Sequence, residues 1–169
     1  SVLDGTLATH VIRHAFCGLF NRWQFWIPIY GWVMLAARGI GVPGGSGRIQ
    51  AINEQAGDRA ARNMSILAFP EGRRTRNGKI GSFKRGAFFM AREVGLPIIP
   101  ICVRGLYEIK NKHSWRFAPG RIQVYLGKPI ETRGLRNDEI AALMERVRQI
   151  HIAWVERGEI LQYEEAKAA

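Results

Sequence analysis

Two apolar runs, SILAF (Ser65–Phe69) and LPIIPICV (Leu96–Val103), stand on either side of the stretch FPEGRRTRNGKIGSFKRG, Phe69–Gly86. Both runs are too short for buried helices, and the second is rich in β-branched residues, so each reads as a buried strand. Between them, Phe83, Ala87, Phe88, Ala91 and Val94 recur at helical spacing. The pattern predicts a helix over Ser82–Val94 that stops at Gly95. A strand, a glycine-rich basic turn, a helix and a second strand in that order point to an α/β fold.

The rest of the chain agrees with that class. RIQVYLG (Arg121–Gly127) alternates as a strand does. Ile140, Leu143, Met144, Val147, Ile150 and Trp154 form one helical stripe, with Asn137 or Asp138 expected as its cap. Ile49–Asn63 reads as an exposed helix after the loop GVPGGSGR. Ser1 to about His14 reads as a helix start, with Ser1 and Asp4 at capping-box spacing. The apolar run Cys17–Ala37 is interrupted by Asn21, Arg22, Gln24 and Pro28, which argues against a membrane-spanning helix. It reads as two short elements, either buried or at a membrane interface, where tryptophan and tyrosine suit the boundary. The expectation is one domain over residues 1–169, with a mixed central sheet flanked by helices. The chain has 169 residues, the length of a single domain.

The net charge of +11 favours anionic partners: nucleic acid, anionic lipid or a phosphorylated small molecule. The two cysteines, Cys17 and Cys102, sit in apolar surroundings and read as small buried hydrophobes. His10 and His14 lack a third ligand and a neighbouring glutamate, so no metal is expected. In the basic turn, Arg73, Arg74, Arg76, Lys79, Lys84 and Arg85 accompany glycines that let backbone N–H groups approach a ligand. Lys84 falls near a helix start, where an anion is also favoured. Glu71, the one acid, can hold an arginine in place or accept from a substrate hydroxyl. The competing reading is a solvated basic turn with a surface ion pair. The turn is neither a Walker loop nor a dinucleotide fingerprint.

These residues carry a resemblance. FPEGRRT resembles the F-P-E-G-x-R-[ST] signature of the glycerophosphate and lysophosphatidate acyltransferases. FKRGA, GLPIIPI (Gly95–Ile101), IPIYGW (Ile27–Trp32) and GKPI (Gly127–Ile130) resemble further blocks of that family, in family order. The family's catalytic motif is N-H-x-S-x-x-D. Ser1 and Asp4 match its S-x-x-D half, so the resemblance places the catalytic histidine two residues before Ser1. The domain is accordingly expected to be incomplete at its N-terminus and, without that histidine, nearly inactive.

The resemblance implies transfer of a fatty acyl group from acyl-CoA or acyl carrier protein to the free hydroxyl of a lysophospholipid. The simplest acceptor is 1-acyl-sn-glycerol-3-phosphate, giving phosphatidic acid, and no cofactor is implied. Asp4 becomes the partner of the catalytic histidine. Glu71, Gly72, Arg73, Arg74 and Thr75 become acceptor-site residues, with Arg74 on the phosphate and Lys84 a further candidate for the same anion. Arg73 stands where many relatives have threonine or serine. One block departs: Gly44 occupies a position where relatives have an arginine, which Arg38 or Arg48 would have to replace. The head group therefore stays open, and a lyso-amino-lipid acceptor or a catalytically dead lipid-binding relative remains an alternative. A nucleic-acid module is disfavoured because the cations cluster in one loop rather than along a groove-sized stripe. Attachment to an anionic, cytoplasmic membrane face is expected, with the Trp23–Trp32 stretch lining an acyl channel or dipping into the bilayer.

Overall fold

The computed structural model describes residues 2–12, 14–42, 49–72, 75, 78–109 and 119–159. The order of elements is α1 (Val2–Val11), β1 (Phe16–Asn21), a 3-10 turn (Arg22–Trp26), α2 (Tyr30–Ala36), β2 (Ile40–Val42), α3 (Ile49–Ala61) and β3 (Ser65–Leu67). After the basic turn come α4 (Gly86–Val94), β4 (Ile101–Arg104), α5 (Leu106–Ile109), β5 (Gln123–Leu126), α6 (Asn137–Ile152) and a π turn (Ala153–Arg157).

The sheet begins with β1 at its centre. It pairs in parallel with β2, Leu19 opposite Ile40, and on its other edge with β3, Cys17 opposite Ile66. Parallel neighbours need crossover connections, which the 3-10 turn with α2 and then α3 supply. A second ladder is antiparallel: β4 pairs with β5, Ile101 opposite Leu126 and Arg104 opposite Gln123. The α/β class therefore holds, and both kinds of pairing are present, carried by two separate ladders among the described residues.

Two apolar clusters meet on α4. Phe88 joins Phe83, Ile140, Leu143 and Val147, while Met90 joins Cys17, Ile40 and Ala56. Residues two apart on a helix point to nearly opposite sides, so α4 is the wall between the α6 layer and the parallel sheet. Burial holds the Cys17 thiol above its ordinary value and pushes that of Cys102 up to about 12.

The structure shifts three boundaries. The Leu96–Val103 run forms a strand only from Ile101, preceded by a lone bridge in which Ile98 and Ile130 exchange both backbone bonds, at 2.9 and 2.8 Å. Pro97 and Pro100 have no N–H to offer a ladder, which is why pairing is interrupted there. The helix predicted from Ser82 starts at Gly86; the Lys84 N–H ahead of it donates to the Pro70 carbonyl at 2.7 Å. The cap of α6 is Arg136 rather than Asn137 or Asp138, and its backbone N–H donates to the Glu139 carboxylate at 2.6 Å. Ser1 and the loop residues Pro43–Arg48 lie outside the described residues. Ile140 is fully buried at the centre of the α4–α6 contact, so Ile140→Ala should destabilise the fold by about 2–5 kcal/mol, read as a lower denaturant midpoint with unchanged slope.

Candidate active site

The Phe69–Gly86 turn is closed at its base by backbone bonds. The Gly72 N–H reaches the Phe69 carbonyl at 3.0 Å, and the Lys84–Pro70 bond ties the two ends together. Further along, the Thr75 hydroxyl donates to the Lys79 carbonyl at 2.8 Å. Gly72 adopts φ +65°, and a Cβ there would stand 2.7 Å from the Lys84 amine. A larger residue would thus be strained by the backbone and would push the flexible Lys84 amine aside. Lys84 itself is exposed and precedes α4 by two residues, so its cation reaches over Gly72 rather than standing within the helix.

Glu71 is half-buried, and its Oε2 accepts the Gly81 N–H at 3.1 Å. Its partner among the described residues is therefore backbone on the far limb of the turn. Arg73, Arg74, Arg76 and Asn77 lie outside the described residues. Two side chains from the C-terminal part of the fold hold the same limb. Arg148 Nε donates to the Gly81 carbonyl at 2.9 Å, and the Glu156 carboxylate accepts the Ile80 N–H at 2.8 Å.

Beneath the turn opens an apolar cavity of about 930 Å³. Glu71 and Thr75 contribute to its polar end, Met90 and Ala91 of α4 and Ile101 and Val103 of β4 to its walls. Leu7, Ala8 and Val11 of α1 also line it. The Asp4 side chain lies outside the described residues. The structure thus brings Leu7, Ala8 and Val11 of α1 and the turn residues Glu71 and Thr75 to one cavity. None of Trp23, Trp26 or Trp32 lines it; Trp26 lines a separate pocket with Arg22 and Phe25. His10 and His14 do not form a helical pair, since α1 ends at Val11 and His14 Nε2 instead lies 2.6 Å from the Ser65 hydroxyl.

Sequence patterns alone do not point to His151, Arg148 or Glu156. His151 sits in the cavity wall, four residues past Val147 on the apolar stripe of α6. Its Nδ1–H donates to the Val147 carbonyl at 2.8 Å, and its ring stands edge-on to Phe83 with centroids 5.3 Å apart. Burial holds the imidazole below its ordinary pKa, against the opposing pull of the Val147 and Ile101 carbonyls and the Glu71 charge. The one available signal is a histidine at a stripe position otherwise filled by hydrophobes.

A depressed histidine pKa means that the unfolded chain takes up the proton first. The stability His151 contributes is complete above the ordinary histidine value and is lost as pH falls through the depressed folded one. The melting temperature should therefore fall between about pH 7 and pH 5, and His151→Gln should flatten that slope. A pH series of thermal melts on both proteins checks this.

Residues 1–104 match the family model described as Acyltransferase. The chain is 30% identical over 154 residues to a 1-acyl-sn-glycerol-3-phosphate acyltransferase from Cocos nucifera, covering 90% of this chain and 50% of that protein. It is 38% identical over 100 residues to 1-acyl-sn-glycerol-3-phosphate acyltransferase alpha from Ovis aries, covering 59% of this chain and 35% of that one. The chain thus spans half or less of the length of these relatives. Its fold is similar to the crystal structure of the 1-acyl-sn-glycerophosphate (LPA) acyltransferase PlsC from Thermotoga maritima. The TM-score is 0.74 at 22% identity, over 98% of this chain and 65% of that chain. With its matched segment running from α1 through β4, this chain belongs to the acyltransferase family.

Proposed function

We propose that the chain is the acyl-transfer domain of a 1-acyl-sn-glycerol-3-phosphate acyltransferase. It moves a fatty acyl group from acyl-CoA or acyl carrier protein to the free hydroxyl of the lysophospholipid, at the cytoplasmic face of an anionic membrane. The observation that carries this reading is the shared cavity. A single apolar space, roomy enough for a lipid chain, is lined by Phe69, Pro70, Glu71 and Thr75 of the basic turn and by Leu7, Ala8 and Val11 of α1, the helix that carries Asp4 in its first turn. Family membership and the printed names of the relatives support the same reaction.

In this mechanism a histidine two positions before Ser1 acts as general base. It takes the proton of the acceptor hydroxyl as that oxygen attacks the thioester carbonyl, and the tetrahedral species collapses with release of the thiol carrier. Asp4 orients the imidazole and stabilises its protonated form. Two residues five positions apart on one regular helix diverge by about 140°. The base therefore belongs to the turn before α1, with Asp4 reaching back from the first helical turn. Arg74 grips the acceptor phosphate, with Arg73 and Lys84 adding positive charge, because an arginine fork matches a phosphate through two parallel bonds. Gly72 leaves room for the Lys84 amine beside that anion. Glu71 acts through the backbone, fixing the turn on Gly81.

The test uses protein extended to include the residues before Ser1. Acyl transfer to lysophosphatidate should fall by about 10³–10⁴ in kcat for Asp4→Ala. For Arg74→Ala, KM for the phosphate-bearing acceptor should rise by about tenfold or more, as expected for a lost charged hydrogen bond. An acceptor without a phosphate should be indifferent to Arg74→Ala. Turnover retained in both variants would reject the assigned site, and preference for a phosphate-free lyso-lipid would reject the acceptor.

A further inference from the structure

Between β1 and β2 the chain displays its largest hydrophobes outward. Trp26 is 85% exposed and Trp32 70%, and Trp23, Ile29, Val33 and Leu35 are exposed beside them. This is not a loosely collapsed loop. Phe20, in β1, packs its ring edge-on against both Phe25 and Tyr30, each with centroids 6.5 Å apart. At Gly31 a Cβ would stand 2.0 Å from the Phe25 carbonyl oxygen, so only glycine lets α2 close onto the 3-10 turn. The segment spends three aromatic rings on its own support and still leaves three tryptophans in water. An apolar patch of that kind marks a binding surface.

Charge and topology identify the occupant. The sequence has no aspartate or glutamate between Asp4 and Glu54. Arg22 opens the 3-10 turn, Arg38 follows the end of α2, and both are exposed. Indoles flanked by cations, with no acid in the segment itself, match the boundary of an anionic bilayer, where tryptophan lies at headgroup depth; the acid that comes near, Asp58, is paired with Arg59, whose Nε donates to the Arg38 carbonyl. Because β1 and β3 are parallel, the tryptophan segment leaves β1 at the same end of the sheet from which the FPEGRRT turn leaves β3. Seating this segment on a membrane also turns the polar end of the cavity toward the surface that holds a lipid acceptor.

We propose that Arg22–Arg38 is a membrane-docking ledge, inserting Trp23, Trp26 and Trp32 into the interface of an anionic bilayer with Arg22 and Arg38 on lipid phosphates. The ledge rests on the proposed lipid acceptor for its purpose only, and its binding is measured without turnover. The 169-residue chain is sedimented with vesicles of phosphatidylcholine alone or mixed with phosphatidylglycerol, and tryptophan quenching by lipids brominated near the headgroup is recorded. The chain should bind the anionic vesicles and be quenched. The exposed pair Trp26→Ala/Trp32→Ala should lose about 100-fold in partitioning while its melting temperature stays unchanged. Arg22→Gln/Arg38→Gln should lose about tenfold or more on anionic vesicles and little on neutral ones. Wild-type binding by the tryptophan variant overturns the ledge. So does a dimer that the same variant dissolves while the parent ignores vesicles, an outcome that assigns the face to a second copy. Vesicle binding by a protein that acylates no lysophosphatidate would leave the ledge standing and remove the acceptor reading.

Discussion

The backbone of Ile80 and Gly81 is the point on which the basic turn depends. Glu156 takes the Ile80 N–H, Glu71 the Gly81 N–H, and Arg148 donates to the Gly81 carbonyl. A glycine-rich turn carrying six cations repels itself and loses much entropy on ordering, so it needs fixed points outside itself. Of the three side chains aimed at these two consecutive residues, Glu71 belongs to the turn, and Arg148 and Glu156 provide the outside points. Two of those three come from α6 and the π turn that continues it. The C-terminal helix therefore does more than cover the core: it sets the position of a loop more than sixty residues earlier in the chain, as the 67-residue separation of Arg148 and Gly81 shows.

The parallel sheet contributes direction. Strands β1, β2 and β3 run the same way, so the chain leaves all three at one end of the sheet. In open α/β sheets that end is where ligands collect. Here it carries the tryptophan segment after β1 and the FPEGRRT turn after β3. The helix α4 then divides the interior, giving one face to the sheet and the other to α6. The cavity lies against this partition, beneath the turn. Among the described residues no helix is long and apolar enough to cross a membrane.

Much of this is legible in the residues. Periodicity locates α6 closely, because an apolar stripe is a local property of a helix; α3 is found where expected but is not an exposed helix, since Ala56 is fully buried and Ile52 packs with it on the sheet-side cluster. A short apolar run locates β3, and alternation locates β5, for a similar reason. Legibility fails where a backbone group has a distant partner. Nothing near Lys84 in sequence says that its N–H reaches back to Pro70 and closes the turn, and apolar spacing alone extends the helix to Ser82 where the structure begins it at Gly86. The prolines flanking Ile98 and Ile99 are visible, yet the β-branched composition around them masks their cost to the ladder. At the site, the turn and the α1 position are readable as motifs, whereas Arg148, His151 and Glu156 are not. Those three act through contacts set by the packing of α6, which no spacing rule encodes.

The two cysteines bear on the chemistry in a further way. Cys102 lies on β4 between Ile101 and Val103, which both line the cavity, while its own thiol is buried and faces elsewhere. Cys17 is likewise sealed inside the sheet layer. Only a thiolate attacks a thioester at a useful rate, and burial keeps both groups protonated. An activated acyl donor entering the fold would therefore meet no sulfur able to capture its cargo, and the acceptor oxygen would have no rival within the protein's own side chains of that kind.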